Sequence, residues 1–195
     1  MDTGRRRQDA YTYGEYKVPH FDSKGEADKY FTEQKLPVTF LLTCGYWENL
    51  IHFGWGPTRG EDGKLAMNLP LGDRKLPGIA TEDIGKSAYE IFKRGNEFIG
   101  KTVGIAGGHL TGKMMADSLT NALGEEVTYN AVPFDVYRGF DFPGAEDVGN
   151  MFQFKHDFED YFCGARSIDF SKSLNPSLQS FDTWLEQNKS KIPLG

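Results

Sequence analysis

The chain has 195 residues, enough for one domain with a sizeable core, and the length alone gives no reason to expect two. A net charge of -6, with Lys and Arg scattered among Asp and Glu, leaves no continuous basic face and argues against nucleic-acid binding. Aromatic residues make up 14% of the chain, too many for disorder, and no stretch approaches the roughly 18 apolar residues of a membrane span.

Residues 1–17 are polar and aromatic without clear periodicity and read as a tail or loop; its basic run Arg5-Arg6-Arg7 reads as solvated. From Phe21 to Gln34 the apolar positions Phe21, Ala27, Tyr30 and Phe31 recur at helical spacing, with Asp22 or Ser23 available as a cap. Pro37 to Thr43 is an apolar, β-branched run of the kind that fills a strand buried on both faces. Tyr46 to Phe53 predicts a short helix ended by Gly54-Trp55-Gly56-Pro57, Leu65 to Leu69 a strand, and Lys75 to Ala80 a further extended piece. Thr81 is a candidate cap for a helix whose apolar stripe is Ile84, Ala88, Ile91 and Phe92.

Thr102 to Ala106 predicts a buried strand; Thr111 caps a helix closed by Gly124; Val127 to Val132 is a strand and Pro133 to Tyr137 a helical turn. Residues 144–161 predict one long helix, and Ser180 caps a last helix with Phe181, Trp184 and Leu185 facing inward. The alternation of helix and strand indicates an α/β fold. Cys44 and Cys163, far apart and without ligand spacing, read as small core residues of a reducing compartment, and no metal site is expected. The N-terminus lacks the apolar run of a signal peptide, so the expected location is the cytoplasm, or the nucleus in a eukaryote.

Two constellations could carry chemistry. His20 and Lys24, four apart, share one helix face, where Lys24 could hydrogen-bond the ribose of a nicotinamide cofactor; a surface ion pair with Asp28 explains the same spacing. Tyr46, Trp47, Glu48 and Asn49 directly follow a buried strand, where α/β sheets place ligand contacts; the aromatic pair could equally be the apolar side of a packing helix. Gly107-x4-Gly112-Lys113 imitates a phosphate-cradling loop, but Met114 stands where Ser or Thr should hold a magnesium ion, and Thr111 as a helix cap explains the segment. Phe134, Tyr137, Met151 and Phe152 read as core in preference to cleft lining.

At H-F-D-S-K-G-E-A-D-K-Y-F, L-P-V-T-F-L-L-T-C-G-Y-W-E-N-L, L-P-L-G-D and F-P-G-A-E-D-V-G-N-M-F-Q-F the chain resembles the NmrA-like family of atypical short-chain dehydrogenase/reductase relatives, which includes NADPH sensors. The resemblance runs from about Val18 to the carboxyl end, and on it residues 18–195 are the C-terminal portion of a Rossmann-type NAD(P)-binding fold with a small α/β subdomain. It implies cofactor contacts from Lys24, Tyr46, Trp47, Glu48 and Asn49, with NADP(H), or NAD(H), as cofactor. The glycine-rich loop of the family does not precede Lys24, so weak binding by this chain alone is expected.

Where ordinary dehydrogenases carry Tyr-x3-Lys, this chain has His20-x3-Lys24, which matches the sensor branch and leaves His20 and Lys24 as the catalytic candidates of a reductase alternative acting on quinones or small carbonyl compounds. The resemblance implies either a protein partner or a small-molecule substrate in a cleft. Sheet edges and apolar faces left uncovered would favour homo-oligomers.

Overall fold

The computed structural model describes residues 16–195; the expectations that fall on residues 1–15, Arg5-Arg6-Arg7 among them, lie outside it. In chain order the first half contains α1 (Pro19–Glu33), β1 (Phe40–Leu42), β2 (Gly45–Tyr46), α2 (Asn49–His52), β3 (Thr58–Arg59), β4 (Leu65–Leu69), β5 (Lys75–Ile79) and α3 (Thr81–Lys93). The second half contains β6 (Thr102–Gly104), β7 (Gly108–Thr111), α4 (Gly112–Leu123), β8 (Val127–Ala131), α5 (Phe134–Arg138), α6 (Ala145–Asp157), α7 (Glu159–Gly164), α8 (Ile168–Leu174) and α9 (Phe181–Asn188).

The described strands form three small sheets. β1 lies parallel to β6, with Phe40 opposite Thr102 and Leu42 opposite Gly104. β5 sits between β2, which it meets in parallel, and β7, which it meets antiparallel. β4 pairs antiparallel with β3 and in parallel with β8, from Leu65↔Val127 to Leu69↔Ala131. The parallel pairings need crossovers, and helices supply them, as an α/β chain requires.

Alternation along β4 turns Leu65, Met67 and Leu69 into the larger core, where Leu119, Phe152, Trp184 and Leu185 meet them. A second cluster joins Ile79, Ile91, Phe98, Val103, Ile105 and Leu174. Each of these side chains contributes roughly 1.5–3 kcal/mol by leaving water, so the two clusters carry most of the folding drive. The expected assignment of Tyr137, Met151 and Phe152 to the core holds, with Phe134 packed at its margin.

Two helix boundaries match the sequence closely. Thr111 Oγ1 accepts from the Met114 amide at 3.1 Å, and Gly124 closes α4 at φ 73°, a conformation that favours glycine. Ser180 Oγ accepts from the Thr183 amide at 3.1 Å to start α9.

Other expectations need correction. The long helix over 144–161 is two helices, because the chain breaks at Phe158 (φ -119°, ψ 39°) and α7 then turns Phe162 into the core. Helix α1 begins at Pro19 rather than at an Asp22 or Ser23 cap, and none of its residues is buried; Tyr30 is 70% and Phe31 47% exposed. Helix α3 is preceded by Ala80, which cannot cap it, and its inward stripe is Asp83, Ser87 and Ile91 while Phe92 faces solvent.

Strand β7, which forms by pairing with β5, and helix α8 were not expected from the sequence. Gly107 and Gly112 of the loop-like motif are packing devices. A Cβ on Gly107 would stand 2.8 Å from the Trp47 ring, and one on Gly112 2.3 Å from the Tyr129 ring. No helix among the described residues is long and apolar enough to cross a membrane.

Candidate functional site

The chain leaving β1 passes through Thr43 and Cys44, and the segment after α7 crosses at the same level. Arg166 donates from Nε to the Thr43 carbonyl at 2.7 Å and from a terminal nitrogen to the Phe162 carbonyl at 3.1 Å. Its guanidinium carbon stands 3.7 Å from the centre of the Phe162 ring. A Cβ on Gly104, at the end of β6, would meet the Ala165 carbonyl oxygen, so this segment lies against the carboxyl ends of both β1 and β6. Carboxyl ends of parallel strands are where α/β folds hold ligands.

Lys155 of α6 is part of the same cluster. It is 4% exposed, and its Nζ lies 5.8, 5.8 and 5.3 Å from the ring centres of Phe21, Phe152 and Phe162, with Met151 Sδ at 3.2 Å. Burial first, then the charges of Arg166 and Lys24, bring its ammonium down to about 7. Burial pushes the Cys44 thiol up to about 12 and the Cys163 thiol to about 11, which makes both poor nucleophiles. Both cysteines are free and only half-buried.

The predicted site residues divide into two groups. Lys24 is exposed and lies close enough to Lys155 for their charges to interact; no ion pair with Asp28, or with any other described residue, holds it. Tyr46 is 36% exposed and its hydroxyl lies 3.2 Å from Thr43 Oγ1, so it shares Thr43 with Arg166. Asn49 opens α2, half-exposed, and its carbonyl accepts from the Phe53 and Trp55 amides.

Trp47 and Glu48 turn the other way. Trp47 is buried against Phe181 and Trp184, with ring centres 5.4 and 6.3 Å apart, and its indole edge fills the space that a Cβ on Gly78 would need. Both Glu48 carboxylate oxygens accept from the Thr81 amide at 3.1 Å, and Oε1 accepts from the Trp184 indole at 3.1 Å. Glu48 therefore does for α3 what Ala80 cannot.

His20 meets the Phe21 ring edge-on, ring centres 4.6 Å apart, and bonds to a residue that the sequence reading missed. Its Nδ1 is 2.7 Å from Asp147 Oδ2, joining the first turn of α1 to the first turn of α6. Asp147 Oδ1 is covered and has no partner among the described residues.

Asp147 and Pro19 line a cavity of about 630 Å³ together with Tyr16, Arg138, Asn150 and Gln153. Arg138 donates to Asn150 at 3.1 Å and to Gln153 at 2.8 Å, and Asn150 donates to the Lys17 carbonyl at 3.0 Å, so the wall is a connected polar surface. That volume suits a small organic molecule. The two amides of N-M-F-Q-F, Asn150 and Gln153, three apart on one helix, were the available signal for this wall; the carboxylate at Asp147 had none, because its partner is 127 positions away.

The sequence profile of the NmrA-like family matches residues 6–185. The NmrA-like family domain-containing oxidoreductase lnbB of Aspergillus flavus is 28% identical over 158 residues, which are 73% of this chain and 46% of that protein. The chain therefore spans about half the length of this relative.

Among solved structures, NmrA, a negative transcriptional regulator, matches with a TM-score of 0.73 at 21% identity over 92% of this chain and 61% of that one. The same regulator in complex with NADP gives 0.70 at 20% identity with the same coverage. Citrobacter sp. triphenylmethane reductase complexed with NADP(H) gives 0.65 at 18% identity, over 86% of this chain and 59% of that one. At these identities the likeness establishes the fold, an α/β arrangement of the Rossmann type.

Proposed function

Because this chain belongs to the NmrA-like family, we propose that it supplies the nicotinamide end of a dinucleotide site and that the protein reads the NADPH/NADP⁺ ratio, changing its contacts with a protein partner. The observation that carries the reading is the cationic cluster at the carboxyl end of β1, with Lys24 exposed at its margin and no carboxylate among the described residues pairing with it. Such a donor set fits a cofactor rich in phosphate and ribose oxygens.

In this reading Lys24 donates to the ribose, and Tyr46 and Asn49 border the ring. Trp47 and Glu48 act from behind, holding that loop against α3 and α9. NmrA and triphenylmethane reductase have been crystallised with NADP and NADP(H), which supports a nicotinamide dinucleotide as the cofactor class here. When bound, the cofactor would supply or withhold a hydride; the chain's own residues bind it and shield it.

Limited proteolysis with and without NADPH tests the proposal in the full gene product. Protection without turnover is expected, and Lys24→Ala should weaken the protecting concentration at least about fivefold, the loss of one charge-assisted hydrogen bond. Unchanged protection in Lys24→Ala would overturn the placement.

A second reading, reduction of quinones or small carbonyl compounds, draws on the His20–Asp147 pair beside the 630 Å³ cavity. An imidazole oriented by a carboxylate is a competent proton donor to a carbonyl oxygen as hydride arrives. If NADPH is oxidised with a quinone panel and His20→Ala lowers that rate at least about tenfold, the reductase reading replaces the sensor.

A further inference from the structure

We propose that Lys155 is a specificity-determining residue for the redox state of the dinucleotide: a cation held behind Lys24 that favours the neutral, reduced nicotinamide ring over the cationic, oxidised one. The inference rests on the dinucleotide reading above and deepens it.

A lysine sealed from water without a carboxylate is costly, and folds normally avoid it. Here no carboxylate among the described residues pairs with Lys155, and the faces of Phe21, Phe152 and Phe162 stand in as weak electrostatic partners. These rings come from α1, α6 and α7, so three helices are arranged around one amine. Phe21 and Lys24 are three apart on α1, which sets the cage wall and the exposed lysine on one side of that helix.

The titratable groups that bear on Lys155 are Lys24 from α1, Cys44 from the segment after β1, and Arg166 from the segment after α7. On α6 itself, His156 is held by Asp157 at 3.0 Å. The Cys44 thiol stays neutral at physiological pH, so the cluster is wholly cationic or uncharged.

An ammonium buried in such surroundings changes charge near neutrality, where a free lysine would not. With Lys155 protonated, the potential behind Lys24 is more positive, and an anionic ligand binds more tightly. Reduced and oxidised dinucleotides differ there by one positive charge on the ring, so the added cation penalises the oxidised form more. At separations of about 10 Å and an effective dielectric of about 25 to 35, one charge changes the preference on the order of five- to tenfold.

The test is calorimetric titration of the full gene product with NADPH and with NADP⁺, near pH 6 and near pH 8.5, in the natural sequence and in Lys155→Met. The preference for NADPH should be about five- to tenfold greater at the lower pH in the natural protein, and independent of pH in the variant. Binding with a preference that does not change with pH overturns this proposal and leaves the dinucleotide reading standing; no binding at either pH removes both.

A second measurement needs neither cofactor nor a folded variant at position 155. Side-chain NMR of labelled lysines in the natural chain should show Lys155 titrating near neutrality, with its midpoint rising in Lys24→Gln. A midpoint near the roughly 10.4 of free lysine, or one indifferent to Lys24→Gln, overturns the proposal.

Discussion

In the unfolded chain the Lys155 amine keeps its proton until about pH 10.4, whereas burial brings it to about 7 in the folded protein. Between these values the unfolded state binds more protons, so stability rises with pH through that window and levels off above it. Below the folded value both states are protonated, and the ammonium must be accommodated among the rings. Urea denaturation from about pH 6 to pH 10 should show this rise, and Lys155→Met should flatten it. The same variant should be more stable at neutral pH by roughly 1–3 kcal/mol, because it exchanges a lone buried amine for an apolar chain of similar volume.

This residue also marks a limit of sequence reading. Lys155 follows Phe154 in a run whose polar positions look solvated, and nothing local says that the partners of its amine are Phe21 and Phe162, both on other helices and the first far upstream. The same holds for Glu48, whose partners Thr81 and Trp184 lie 33 and 136 positions away.

At the scale of elements, patterns that close within a few residues were legible. Thr111 to Gly124 announced α4 through a cap, a periodic face and a left-handed glycine, all local features. β7 was not legible, because Gly108-His109-Leu110-Thr111 has little strand propensity and exists by pairing with β5. Of the candidate site, Tyr46 drew attention by following a strand and Lys24 by its four-residue spacing from His20 on a helix, while the roles of Trp47 and Glu48 depended on α9, which no motif connects to them.

Helix α1 is where periodicity and burial part company: it has an apolar face on paper and no buried residue in the fold. Its Tyr30 and Phe31, 70% and 47% exposed, add little burial to the domain. Replacing both with Ser should therefore change the unfolding free energy of this chain by less than about 0.5 kcal/mol. A loss of several kcal/mol in urea titrations would show that α1 packs more deeply than its exposure indicates.

For the molecule as a whole, those aromatic groups have a second consequence. One side of β1 pairs with β6, and no described strand pairs with its other side. Exposed apolar side chains and an open strand edge both favour association. Sedimentation velocity should find self-association that rises with protein concentration and falls in the Tyr30→Ser, Phe31→Ser double variant. A sedimentation coefficient that is the same in both proteins at every concentration would leave this face without a role in assembly.

The grip of Glu48 on Thr81 and on the Trp184 indole carries an implication for synthesis. Because Phe181, Trp184 and Leu185 complete the larger core, a nascent chain emerging from the ribosome cannot close its earlier-made layers until α9 has been translated and released. The carboxylate waits, solvated, for an indole made 136 positions later. Premature termination before Trp184 should thus yield a product that chaperones and proteases recognise as unfinished, even with every described strand already made.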